Sequence, residues 1–106
     1  MAEFVPVVGV DDIAEGSVQS FVVGDEEVAV ARCDGEFYAF TNICSHAHAY
    51  LAEGEVDTDE CVVECPLHGA RFDLATGRVR ALPATEPIKT FPVRITDGQV
   101  EVAVDA

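Results

Sequence analysis

The stretch from Cys44 to His68 constrains this chain more than any other part of it. It opens with Cys44-Ser45-His46 and, after eighteen intervening residues, closes with Cys65-Pro66-Leu67-His68. The pattern is C-x-H followed by C-x-x-H. All three histidines and two of the four cysteines fall inside it. Thiolates are soft donors and imidazoles borderline ones, so such a cluster at short spacings reads first as a metal site.

Two cysteines and two histidines can hold one tetrahedral zinc. They can equally hold one [2Fe–2S] cluster, with a cysteine pair on one iron and a histidine pair on the other. Zinc motifs usually pair Cys with Cys and His with His locally, whereas here each half offers one of each. A mixed cluster needs two short, parallel loops. Pro66 stiffens the second loop, and Gly69 after His68 lets backbone come close to an inorganic sulfur.

The rest of the chain reads as strands. Residues 4–10 are apolar with Pro6 inside, which predicts an edge strand. Residues 17–23, 28–32 and 37–41 follow, separated by Gly24-Asp25-Glu26-Glu27 and by Cys33-Asp34-Gly35-Glu36, where Asp-Gly is the hairpin signal. After the first loop come short pieces at 55–56 and 61–64, then 71–73 and 78–80 around a turn ending in Gly77. Residues 81–87 carry two prolines and read as a loop. Strands at 90–95 and 99–104 flank Thr96-Asp97-Gly98. No stretch shows a sustained apolar period of 3.6. The expectation is an all-β single domain, 1–106, in which residues of roughly 42–84 form a small subdomain of loops and short strands on a β-sandwich base.

The residues CSHAHAYLAEG and ECPLHGARFD, continuing into ATGRV, LPA and FPVRI, resemble the Rieske iron–sulfur family. The likeness is strongest to the small Rieske-type ferredoxins that feed aromatic-ring-hydroxylating dioxygenases. That resemblance implies a Rieske-type antiparallel β-sandwich with a cluster-binding subdomain. It implies one [2Fe–2S] cluster, with Cys44 and Cys65 on the inner iron and His46 and His68 on the outer one. A third loop around Pro83 would cover the cluster. The respiratory branch carries two further cysteines, as a disulfide, where this chain has Ala49 and Leu67. It has hydroxyl residues where this chain has Ala70 and Phe72. Fewer donors to the sulfurs favour the oxidised form. The expected potential therefore lies toward the low end of the Rieske range of roughly −150 to +300 mV.

Charge excludes some partners. Six basic and twenty acidic residues give a formal charge of −14. Phosphate binding needs a basic patch, so nucleic acid is excluded. Transient docking on basic protein surfaces suits such a chain. No apolar run approaches the roughly 20 residues of a membrane span. The beginning, MAEFVPVVGVDD, is unlike a signal peptide. The expectation is a cytoplasmic protein, and its like charge argues for a monomer.

An oxygenase iron site of two histidines and a carboxylate needs histidines beyond those in the motif, and only His48 is left. No recognisable hydrolase triad and no dinucleotide or phosphate-loop glycine motif appears. The chain is therefore expected to be no enzyme. The resemblance implies an electron carrier between a flavin-containing reductase and a terminal oxygenase. Two alternatives stand beside it: a small Rieske-like subunit of a nitrite reductase-type complex, and a zinc-stabilised binding module without redox activity. His48 reads as a surface histidine. Cys33 and Cys61 have no ligand spacing and read as unpaired thiols that suit a reducing compartment. Arg71 either pairs with an acidic group to pin its loop or is solvated.

Overall fold

The computed structural model describes residues 3–44, 49–67, 69–82 and 86–104. Within them the chain forms antiparallel strands in three sheets. β1 (Val5–Gly9) is an edge strand of a three-stranded sheet, beside β11 (Gln99–Val102), which also pairs with β10 (Val93–Thr96). Its register slips between Pro6 and Val8, which fits proline's missing N–H and the edge placement expected for it.

The second sheet follows the order β2 (Val18–Val23), β3 (Glu26–Cys33), β4 (Glu36–Thr41) and β9 (Thr90–Phe91). Asp34-Gly35 joins β3 to β4 with φ of 57° and 79°, and Asp97-Gly98 joins β10 to β11 with 51° and 75°. Positive φ at both central residues defines the type I′ turn, whose twist matches that of the flanking strands. The Glu15 carboxylate caps the first of these turns, accepting the N–H groups of Asp34 at 2.6 Å and Gly35 at 3.0 Å.

The third sheet is a meander: β5 (Glu55–Asp57), β6 (Val62–Glu64), β7 (Arg71–Asp73) and β8 (Val79–Ala81). Single 3₁₀ turns occupy Val10–Asp12 and Leu51–Glu53. Both were too short to be legible from periodicity.

β3 is the shared wall of the molecule. Its side chains alternate across the sheet. Val28 and Val30 pack toward Val100 and Val102 of the first sheet. Ala29, Ala31 and Cys33 pack on the other side with Phe40, Leu51, Val63 and Phe72. All these residues are buried. Branched residues fill the sandwich, and alanines let the third sheet approach closely.

One strand expectation is corrected. Residues 90–95 do not form a single strand. β9 pairs with β4 and β10 pairs with β11, and the chain changes sheet at Pro92. Proline offers no N–H to a ladder, so a strand running through it is the natural place to cross. No helix among the described residues is long and apolar enough to cross a membrane.

Candidate metal centre

Two loops of equal length are built in the same way. Beyond β4, Ile43 bridges to Tyr50 and encloses residues 44–49. Between β6 and β7, Glu64 pairs with Arg71 and encloses residues 65–70. Each loop begins with a cysteine and ends with a buried alanine. Cys44 N–H donates to the Ala49 carbonyl at 3.0 Å, and Cys65 N–H donates to the Ala70 carbonyl at 2.7 Å. In the second loop Gly69 N–H also donates back to the Cys65 carbonyl, at 3.1 Å. These are the two short loops, each carrying one cysteine, that the motif spacing required. We call them fingers.

Cys44 and Cys65 are both buried, and neither is in a disulfide. They lie in one apolar cluster with Ala49, Leu51, Ala70 and Phe72. Buried cysteine also packs as a small hydrophobe, so it is the position of each at the head of a matching loop that points to metal-binding sulfur. His46, His48, His68 and Pro83 lie outside the described residues. Among the described residues no group of three or more potential ligands comes together.

Three supports of the fingers escaped sequence reading. Asn42 is buried at the foot of the first finger. Its carbonyl accepts Leu51 N–H at 2.7 Å and its side-chain Oδ1 accepts Ala52 N–H at 2.9 Å. One residue therefore ties both the outgoing and the returning chain. Gly54 ends the return, and a side chain there would run into the Glu64 carbonyl and Pro66. The third is Gly77, with φ of 77°, where a side chain would meet the Ile88 carbonyl. That close approach lets Ile88 N–H donate to Gly77 at 2.9 Å, anchoring the chain as it leaves the third sheet.

Arg71 is paired, and this settles the choice left open above. Its Nη2 donates to Asp57 at 2.6 Å, and its guanidinium lies 3.7 Å from Glu60 and 3.6 Å from Glu64. Arg80 extends the network to Glu60 and Asp73, at 3.2 Å each. The hydrogen bond from Arg71 holds the Asp57 carboxyl below its ordinary pKa, helped by the Asp59 N–H. Asp57, Glu64 and Arg71 sit on three successive strands, so the network ties the third sheet together at the root of the second finger.

Cys33 and Cys61 are not unpaired thiols. They form a disulfide with Cα atoms 5.8 Å apart. Cys61 adopts φ of 52° in the turn before β6, so the extended backbone expected from residue 61 begins at Val62. The turn swings Cys61 toward the end of β3. The cysteines therefore give no support to a reducing compartment.

Several large apolar side chains in and beside this part of the chain face solvent. Leu67, on the second finger, is 56% exposed and Leu82 is 76% exposed, while Ile43 and Tyr50 at the root of the first finger are also exposed.

Comparison with known proteins agrees with this construction. The anthranilate 1,2-dioxygenase ferredoxin subunit of Burkholderia cepacia is 44% identical over 98% of this chain and 94% of its own length. The ferredoxin of carbazole 1,9a-dioxygenase from Nocardioides aromaticivorans IC177 superposes with a TM-score of 0.92. It is 38% identical over 94% of this chain and 96% of that one. A ferredoxin chain in a complex of reduced oxygenase and oxidised ferredoxin of carbazole 1,9a-dioxygenase superposes at 0.87. It is 37% identical over 94% of this chain and 92% of its own. The model of the Rieske [2Fe-2S] domain matches residues 3–92. With two cysteine-headed fingers on a β-sandwich, and relatives of this closeness along its length, the chain belongs to the Rieske [2Fe-2S] domain family.

Proposed function

We propose that this chain is the ferredoxin component of an aromatic-ring-hydroxylating dioxygenase system. It would take one electron from a flavin-containing, NAD(P)H-dependent reductase and pass it to a terminal oxygenase. The observation that carries this is the pair of matched fingers with buried Cys44 and Cys65 at their heads. Relatives named as dioxygenase ferredoxins along nearly the whole chain support the choice of system. The whole chain, 1–106, acts as one domain, with residues of roughly 42–84 as its cluster-binding subdomain.

In this reading Cys44 and Cys65 hold the inner iron and His46 and His68 the outer iron. The [2Fe–2S] cluster supplies a one-electron couple and no bond-making chemistry. Cys44 and Cys65, which share an apolar cluster with Phe72, would anchor it. The buried Ala70 and Phe72 side chains offer no hydroxyl donors there, which supports a low potential. Leu67 gives the second finger an exposed apolar contact, and the acidic surface steers encounter. A small apolar contact with charged surroundings suits brief docking. The carrier works as a cytoplasmic monomer.

The test is electron paramagnetic resonance after dithionite reduction, with iron and zinc assayed on the same sample. Two irons per chain and a rhombic signal of low average g are expected. One zinc, no colour and no signal would sink the reading and leave a zinc module. A loaded protein that no dioxygenase accepts as donor would point instead to a permanent reductase subunit.

A further inference from the structure

We propose that the Cys33–Cys61 disulfide is a second, reversible redox site whose state sets how firmly the fingers keep their cluster. The proposal rests on Cys44 and Cys65 being cluster ligands. The disulfide joins the last residue of β3, in the sandwich, to the turn that launches β6. Cys65 follows only four residues after Cys61, so the bond fixes the strand that delivers the second finger. The two cysteines are 28 positions apart in sequence, and the ring they close contains the whole first finger. One covalent bond therefore restrains both fingers.

The surroundings accommodate both states. Cys61 carries a side chain at a φ of 52°, a left-handed conformation that ordinary residues avoid. The cross-link keeps it there, and the Leu74 N–H bound to the Cys61 carbonyl at 3.0 Å assists. Once the bond is opened, the turn is free to leave that conformation. Cys33 Sγ lies 3.6 Å from the Thr58 carbonyl oxygen, which would accept the new thiol hydrogen. Cys33 is buried while Cys61 is partly exposed, so attack comes from the Cys61 side.

The step is thiol–disulfide exchange with a dithiol. A thiolate of the dithiol attacks one sulfur, the S–S bond breaks, and the second thiol releases the mixed disulfide. Cys33 and Cys61 together gain two electrons and two protons, and the dithiol closes to its own disulfide.

The experiment uses the iron-loaded full chain under anaerobic conditions. Unfolding in iodoacetamide without reductant should label two cysteines, Cys44 and Cys65, and all four after dithiothreitol. Four labels without reductant would overturn the proposal. The folded protein is then incubated with dithiothreitol and desalted, with one portion labelled while still folded. A label on Cys61 is expected in the folded portion, and on Cys33 as well once a second desalted portion is unfolded; neither label would mean a permanent staple and would also overturn it. The remainder meets an iron chelator, and bleaching of the visible absorbance is followed. Iron release should quicken by about tenfold or more, because opening the cross-link frees a long loop. An unchanged rate refutes the link to the fingers. The C33S/C61S variant should bleach at the fast rate whether or not dithiothreitol was present. If it does not fold, the two wild-type arms decide. A chain that holds no iron would fail the cluster reading by itself, whereas the labelling count is made on the polypeptide and stands apart.

Discussion

Gly54 lies against Glu64 so closely that a methyl group on Gly54 would overlap the Glu64 carbonyl oxygen. Glu64 directly precedes Cys65, and Gly54 ends the chain returning from the first finger. The two fingers meet at this backbone contact.

The Gly54→Ala substitution should therefore separate the fingers. Backbone cannot rotate away as a side chain can, so a loss of about 1–3 kcal/mol is expected, as for an overfilled core. Iron per chain and the thermal midpoint measure it. Full iron content with an unchanged midpoint would show that the contact is dispensable.

Enlarging a β3 residue on the alanine face tests the packing of the third sheet. Ala31 is fully buried there, and Ala31→Leu should cost about 1–3 kcal/mol in denaturant unfolding. The exposed Val22, substituted by Thr, should change little and serves as the control.

Acid should weaken the third sheet through Asp57. Its carboxyl is held below its ordinary pKa in the folded chain, mainly by Arg71. In the unfolded chain it takes up a proton near pH 4. Below that value the unfolded state binds more protons, so stability falls as pH drops through the lowered pKa. The contribution is fully present at neutral pH. Arg71→Gln should lower the unfolding midpoint at pH 7 and flatten its decline below about pH 4. Glu15, also held low by the Gly35 and Asp34 N–H groups, should keep part of the decline. Equal slopes for variant and wild type would remove Arg71 as the cause.

Electron delivery should slow with salt. A chain of charge −14 would meet a basic partner through fields that are screened within about 10 Å at 0.1 M ionic strength. Stopped-flow rates of reduction by the reductase should fall steadily from low to high salt. A flat profile would count against electrostatic steering.

The strands were legible because turn chemistry is local. Asp34-Gly35 and Asp97-Gly98 announce hairpins wherever they occur between apolar runs. The cysteines at the finger heads were legible from their spacing. The disulfide was not, because Cys33 ends β3 while Cys61 sits in the turn before β6 of another sheet, and neither carries a ligand pattern. Extrapolating the strand alternation through Cys61 failed at its positive φ, which no local residue choice signals. Pro92 did carry a signal: a proline in the middle of a run of strand residues marks the point where pairing must lapse. Asn42 acts through bonds made once the first finger closes on itself, and Gly54 through a contact made only after the two fingers meet.

The pairing scheme also orders events in time. β5 to β8 are neighbours both in sequence and in the sheet, so each hairpin closes a short loop. β1 pairs with β11, with Val5 opposite Val102, and that closure spans nearly the whole polypeptide. Local hairpins form fast and distant strands slowly. The sandwich cannot close until β11 has been made, whereas both fingers are complete in sequence by residue 70, so this topology leaves the fingers without their closing strand until synthesis ends.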